Sequence, residues 1–214
     1  MKGSTHLAIG TVIGIAASAC YPFRPESAVY YVTAAAFSAL SADLDGTNML
    51  SSKLGKVSHW IREIALWGGL LALAVNAYLY FAQQLLYPLY AMVSFLLVLL
   101  GLILKEGVLR NALVSACGIG LLYAGWRSGS TGLIGLGVFV AWVPWLNHRG
   151  LTHTVWAVAA WAWIGSAFER ELQIEGLAAV ATAGYLSHLV ADTLTPSGVK
   201  WLYPLVRKSF KWRI

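Results

Sequence analysis

A histidine and an aspartate, His188 and Asp192, lie four residues apart near the end of an apolar stretch. On a helix this spacing places both side chains on one face, one turn apart, so that both can reach a single ion. Thr195-Pro196 follows, and the proline predicts the end of the helix because it cannot continue the helix and restricts the residue before it. Ionisable residues in an apolar helix are costly unless paired. The pair therefore predicts either a functional site or a hydrogen bond between packed helices.

Three further segments carry the same residue types at the ends of apolar stretches. Neutral imidazoles and carboxylates are the ligands that divalent transition metals, and zinc in particular, prefer in proteins. Aspartates at the negative C-terminal end of a helix also call for a nearby positive charge. We therefore predict a metal site. The alternatives are that His148 and His153 belong to a capping turn, that Asp43 and Asp45 begin an ordinary acidic loop, and that His6 lies at the level of the lipid headgroups. The candidate ligands are His6, Asp43, Asp45, His148, His153, His188 and Asp192.

Membrane helices must position these side chains. Of the 214 residues, 58% are hydrophobic and 11% are charged, and the mean hydropathy is +0.67, which excludes a soluble globular domain. Crossing the hydrocarbon core takes about 20 helical residues. We predict an all-α, polytopic transmembrane helical bundle of about eight spans, with six or seven as alternatives. The spans are placed near residues 5–21, 28–44, 62–82, 87–104, 108–125, 130–147, 151–168 and 176–194.

The lysines and arginines predict the orientation of the bundle, because cytoplasmic loops carry an excess of them. With eight spans, twelve of the 15 basic residues fall on the side of the N-terminus and three on the other side. Both termini are therefore predicted to be cytoplasmic. The same topology places all seven candidate ligands at the cytoplasmic end of the bundle, although only charge and hydropathy were used to draw it.

The net charge of +6 is concentrated at the predicted cytoplasmic surface. A basic-aromatic tail, residues 205–214, contains Arg207, Lys208, Phe210, Lys211, Trp212 and Arg213. This composition suits anionic lipid headgroups and argues against nucleic acid as the partner. His59 lies in the predicted loop between spans two and three, beside Lys56 and Arg62. We expect it to face solvent or headgroups. Gly10 and Gly14 are expected to be helix-packing positions.

The chain resembles the YdjM family of bacterial inner-membrane proteins, which are described as metal-dependent hydrolases. The resemblance covers roughly the first sixty and the last seventy residues. The matching blocks are Thr5-His6, Ala42-Asp43-Leu44-Asp45, His148-Arg149-Gly150-Leu151-Thr152-His153-Thr154, and Gly184-Tyr185-Leu186-Ser187-His188 with Asp192 and Thr195-Pro196-Ser197-Gly198. The family is in turn distantly similar to zinc-dependent phospholipase C and the P1-type nucleases, in which histidines and aspartates surround a zinc cluster that cleaves phosphate esters.

Two features depart from the family pattern. Ala42 stands where a proline is usual, and Gly46 stands where a histidine commonly follows the second aspartate. The segment from about 64 to 142 is also longer than in the relatives, which predicts extra spans inserted into a single membrane-embedded domain of residues 1–214.

The resemblance and the candidate ligands together predict a membrane-bound metal-dependent hydrolase in the bacterial inner membrane. One or two divalent ions, zinc by preference, would activate water against an ester or phosphoester. At headgroup depth the substrate class is a membrane lipid or a lipid-linked phosphate. Asp45 and His153 are expected to be catalytic, and Arg149 is expected to hold a phosphate, because a planar guanidinium suits that geometry. Residues expected to orient the ligands are Thr152, Ser187 and Thr195.

Two alternatives come from other classes of protein. A transporter or a non-enzymatic metal-binding protein would use the same ligands, but a transport pathway should place ligands near the bilayer midplane. The middle spans supply only the neutral polar residues Asn76, Asn111 and Ser115 there. A structural membrane protein would use the histidines and aspartates only to hold helix ends together.

Overall fold

The computed structural model describes residues 1–21, 24–46 and 49–212. Within these ranges the chain is all-α, as predicted, and the only strand-like pairing among the described residues is an isolated bridge between Val199 and Phe210. The α-helices are α1 (Gly3–Cys20), α2 (Pro25–Ser41), α3 (Ser52–Gln83), α4 (Pro88–Ile103), α5 (Glu106–Ser128), α6 (Thr131–Trp142), α7 (Val155–Leu172) and α8 (Leu177–Thr193).

Each of the eight predicted stretches coincides with one α-helix, and the largest differences lie at the start of α3, the end of α6 and the start of α7. We predicted the sixth stretch to run to 147, but α6 ends at Trp142. A short 3-10 helix, Val143–Trp145, follows it, because Pro144 has no amide hydrogen to continue an α-helix. The α7 helix begins at Val155 rather than near 151, since Thr154 caps it by accepting from the Ala157 amide.

Three helices, α1, α3 and α5, are long and apolar enough to cross a membrane by length and composition. Two shorter apolar helical segments, Pro88–Ile103 and Thr131–Trp145, accompany them. The chain is therefore a helical membrane protein. The count of eight spans and the cytoplasmic position of both termini stay predictions.

The segment around His59 is helical rather than a loop, which corrects the prediction. The α3 helix has 32 residues, so it is about 48 Å long at 1.5 Å per residue. That exceeds the roughly 30 Å of a bilayer core. The additional turns are the amphipathic N-terminal part, in which lysines and an arginine alternate with apolar residues.

The chain divides into two compact units, of which the first comprises residues 1–51 and 114–214 and the second comprises residues 52–113. In the second unit, α3 packs on α4, and Gly101 lets the two approach closely: a Cβ there would lie 2.7 Å from the Leu66 backbone nitrogen. This division into units does not test the predicted insertion of residues 64–142 relative to family members, which stays a prediction.

In the first unit, α1, α2, α7 and α8 pack against one another, and α6 packs on α7. Small residues let these helices approach closely, as expected for membrane helices. A Cβ on Gly10 would lie 2.7 Å from the Ala35 carbonyl oxygen, and one on Gly184 would lie 2.5 Å from the same atom. Helices α1 and α8 therefore both contact α2 at Ala35.

The C-terminal segment folds back onto the end of α8. The Trp212 amide donates to the Thr193 carbonyl at 3.0 Å, and the Trp201 carbonyl accepts from the Val155 amide at 2.9 Å. The segment thus ties the end of α8 to the start of α7. Arg213, part of the predicted basic-aromatic tail, and Ile214 lie outside the described residues.

Candidate metal centre

Four helix ends of the first unit carry the predicted ligands to one place. Asp43 and Asp45 lie in a short 3-10 helix, Ala42–Asp45, directly after α2. His153 ends a second 3-10 helix, Leu151–His153, just before α7. All seven predicted ligands belong to three overlapping groups, and within each group the ligand atoms lie within 4.8 Å of one another. The groups are His6, Asp43 and His188; His153, His188 and Asp192; and Asp43, Asp45 and His148.

The inner part of the cluster has ligand separations typical of a metal site. Asp43 Oδ1 lies 3.5 Å from Nε2 of both His153 and His188, and His6 Nε2 lies 3.4 Å from Asp192 Oδ1. Asp192 Oδ2 lies 3.8 Å from His153 Nε2 and 4.0 Å from His188 Nε2. Two ligands bonded to one tetrahedral zinc at about 2.0–2.1 Å are separated by roughly 3.4 Å. The inner atoms are thus spaced as ligands of a shared ion are.

Hydrogen bonds fix the tautomers of two of the histidines. The Nδ1–H of His188 donates to the Ala39 carbonyl at 2.7 Å. The Nδ1–H of His153 donates to the Thr152 hydroxyl at 2.9 Å, and that hydroxyl donates to Asp45 Oδ2 at 2.6 Å. With the proton held on Nδ1, each ring presents its Nε2 lone pair, which is how ligating histidines are usually oriented.

The nitrogen atoms that face the inner cluster lack hydrogen-bond partners. Among the described residues, no partner is found for Nε2 of His153 and His188 or for either ring nitrogen of His6. These three side chains are at most 1% exposed, and the rings of His6 and His188 stack with centroids 3.8 Å apart. Buried polar atoms normally find partners, so this group of unpartnered nitrogens requires an explanation.

Asp45 and His148 form an outer pair. Asp45 Oδ1 accepts from His148 Nδ1 at 2.8 Å, and Oδ2 accepts from the Arg149 amide at 3.0 Å and from Thr152. Both carboxylate oxygens of Asp45 thus accept hydrogen bonds. Gly46 makes room for the imidazole, since a Cβ there would lie 3.1 Å from His148 Nδ1. His148 is 54% exposed, and its hydrogen bond to Asp45 raises its pKa, which burial alone would lower.

Two cationic groups lie beside Asp192. The Nη2 atom of Arg149 is 2.9 Å from Asp192 Oδ2, and the amino group of Met1 is 2.9 Å from Oδ1. The Nη1 atom of Arg149 is buried, and it has no hydrogen-bond partner among the described residues. Arg149 adopts a positive φ of 57°, which is uncommon for a residue other than glycine. One guanidinium nitrogen of Arg149 thus contacts the cluster, and the other has no partner among the described residues.

The residues predicted to orient the ligands differ in their contacts. Thr152 links His153 to Asp45. The Thr195 hydroxyl donates to the Asp192 carbonyl at 2.7 Å, so it acts on the end of α8 rather than on an imidazole. The Ser187 hydroxyl donates to the Gly184 carbonyl at 2.7 Å within the same helix.

Sequence reasoning missed two supporting groups. The buried Tyr185 donates its hydroxyl to the Thr152 carbonyl at 2.7 Å, which holds the turn that carries His153. The Ala39 carbonyl orients His188. Tyr185 lies three residues before His188 in a block that carried the resemblance, and this was the available signal. A backbone carbonyl leaves no signal in side-chain identity.

The geometry defines a class: a helical membrane protein whose helix ends gather a buried cluster of histidines and aspartates. The chain belongs to the YdjM inner membrane protein family, because the model of that family matches residues 1–214. It is accordingly a protein of the inner membrane. No curated protein and no solved structure matches the chain. The similarity to zinc-dependent phospholipase C and the P1-type nucleases stays a prediction.

Proposed function

We propose that this chain is a membrane-bound metal-dependent hydrolase that cleaves an ester or phosphoester of a lipid or lipid-linked substrate. The observation that supports it best is the set of buried imidazole nitrogens without partners, aimed at two carboxylates. A purely structural cluster would pair these atoms with one another at hydrogen-bond distance. A divalent cation would accept the lone pairs of the Nε2 atoms and balance the charge of the carboxylates.

The inner five groups are the proposed ligands, with zinc as the expected ion and one or two ions in total. When bound, zinc supplies Lewis acidity toward water and toward an ester oxygen. The ligands are His6, Asp43, His153, His188 and Asp192. Asp45 orients His153 through Thr152. Its alternative role is as a ligand of a second ion, together with Asp43 and His148.

Two further residues have proposed roles in handling the substrate. Arg149 has a buried Nη1 without a partner among the described residues, and this atom would donate to a phosphate or carboxylate oxygen of the substrate. His148 is held at Nδ1 by Asp45 and is largely exposed. Its Nε2 is therefore free to exchange a proton with water or a leaving group as a general acid or base.

Elemental analysis of the detergent-purified protein tests the metal site first. We expect one or two equivalents of zinc or a similar ion, and loss of that metal in Asp192→Asn. A hydrolysis screen over phospholipids and lipid-linked phosphates follows, with a chelator arm and a metal-restored arm. Activity that the chelator abolishes and added metal restores would support the proposal. Stoichiometric metal without any hydrolysis would favour a non-enzymatic metal-binding protein, and absence of metal would overturn the proposal.

A further inference from the structure

An apolar groove of about 230 Å³ lies between α6 and α7, next to the candidate metal centre. Phe139 and Trp142 of α6 form one wall, and Trp156 and Ala160 of α7 form another. Every lining residue is apolar except Thr152. An engineered apolar cavity of about 150 Å³ is large enough to bind benzene, so this groove has room for a segment of hydrocarbon chain.

Thr152 connects the groove to the polar cluster. It lines the groove, and its hydroxyl donates to Asp45 Oδ2 at 2.6 Å. The same carboxylate oxygen accepts from the Arg149 amide at 3.0 Å. Thr152, at the polar end of the groove, and the backbone of Arg149 therefore share one carboxylate oxygen, and the guanidinium of Arg149 has a buried Nη1 without a partner among the described residues.

We propose that this groove binds an acyl chain of an anionic membrane phospholipid, with the phosphate of that lipid at Arg149. Charge and polarity support this occupant: hydrocarbon fits the apolar walls, and a phosphate oxygen accepts from a guanidinium. The exposed indoles of Trp142 and Trp156 border the groove, and tryptophan is common where apolar and polar parts of a lipid meet. Cleavage of that lipid rests on the proposed function. Its binding in the groove does not.

Photolabelling measures occupancy without hydrolysis. The full chain is placed in phosphatidylcholine vesicles that contain phosphatidic acid with a diazirine on its acyl chain, and labelled peptides are mapped after illumination. We expect labelling concentrated on the α6 and α7 residues of the groove. Ala160→Trp should fill the groove and reduce this labelling to the level of other lipid-facing helices. Ala159→Trp is the matched control, because Ala159 is exposed on the same helix but does not line the groove.

A second pair of probes tests the phosphate. A diacylglycerol with the same photoreactive chain lacks the phosphate, so it should label the groove less than phosphatidic acid does. Arg149→Gln should lower phosphatidic acid labelling to the diacylglycerol level. Leu146→Trp, at another wall of the groove, replaces Ala160→Trp if that variant does not fold.

Labelling that is spread evenly over the lipid-facing helices would overturn the inference, and so would labelling that Ala160→Trp leaves unchanged. In a competition arm, excess unlabelled phosphatidic acid should reduce labelling of the groove peptides. If only an associated protein reduces it, the groove binds protein and the inference is wrong. Groove labelling without bound metal or hydrolysis would contradict the proposed function but support the lipid site. Metal-dependent hydrolysis with an unlabelled groove would support the proposed function but contradict the lipid site.

Discussion

Histidine, aspartate or glutamate, and arginine cluster in both compact units, yet the two clusters differ physically. In the second unit, His59 Nδ1 and Arg62 Nη1 lie 2.9 and 3.0 Å from the same Glu106 oxygen. His59 is 52% exposed and Glu106 is 46% exposed. In the first unit, the inner histidines are buried and lie 3.4 to 4.0 Å from their carboxylates.

Residue types alone therefore do not define a candidate metal site. The exposed cluster satisfies its charges by direct hydrogen bonds and by water, so it has no need of a cation. In the buried cluster the imidazole nitrogens lack hydrogen-bond partners among the described residues and lie 3.4 to 4.0 Å from the carboxylates, beyond the usual range of about 2.7–3.2 Å. Exposed ion pairs also contribute little to stability, whereas unpaired buried polar groups are costly. Variants matched across the two clusters test this contrast.

The largest expected effect comes from His188→Gln, which removes a ligand at the centre of the inner cluster. Bound metal, measured by elemental analysis, should fall to background, because His188 belongs to two of the overlapping groups of candidate ligands. His59→Gln is the matched control and should keep the wild-type metal content. Equal metal content in both variants would contradict the assignment of the metal to the buried cluster.

Thr152→Val should weaken metal binding without abolishing it. The substitution keeps the shape of the side chain but removes the hydroxyl that links His153 Nδ1 to Asp45. Loss of such a supporting bond typically lowers metal affinity about 10–100-fold. Competition with a chromophoric chelator gives the affinity. An unchanged affinity would show that the hydroxyl does not orient the ligand.

Gly184→Ala should destabilise the first unit. Its Cβ would lie 2.5 Å from the Ala35 carbonyl oxygen, so α8 must shift from α2, at a cost of about 1–3 kcal/mol. Gly68→Ala is the matched control in the second unit, where nothing lies within 4 Å of the new Cβ. Thermal unfolding in detergent compares the two. A larger shift in Tm for Gly68→Ala would contradict the packing described above.

The smallest effect is expected from Glu106→Gln in the exposed cluster. His59 and Arg62 lose their shared carboxylate, but solvent replaces the interaction. Neither Tm nor metal content should change measurably. A loss of metal in this variant would mean that the second unit takes part in metal binding.

Hydropathy located all eight helices to within a few residues, except at three boundaries. Proline at 144 and the capping Thr154 shortened α6 and delayed α7. The α3 helix began earlier than predicted, because its first turns are amphipathic and carry lysines that a search for apolar stretches rejects. Helix ends depend on single hydrogen bonds, and hydropathy averages over them.

Hydropathy and residue types along the chain were enough to predict the class of protein and the residues that could form a centre, since burial in a membrane restricts which helices can carry charge. They also predicted that these residues lie at helix ends. The fold was needed to show that Nε2 of His153 and His188 faces the inner cluster, that both oxygens of Asp45 accept hydrogen bonds, and that an apolar groove reaches Thr152. Those features arise between segments far apart in the chain, where a backbone carbonyl or one tyrosine hydroxyl sets the geometry. The pattern of residue types along the sequence does not encode such contacts.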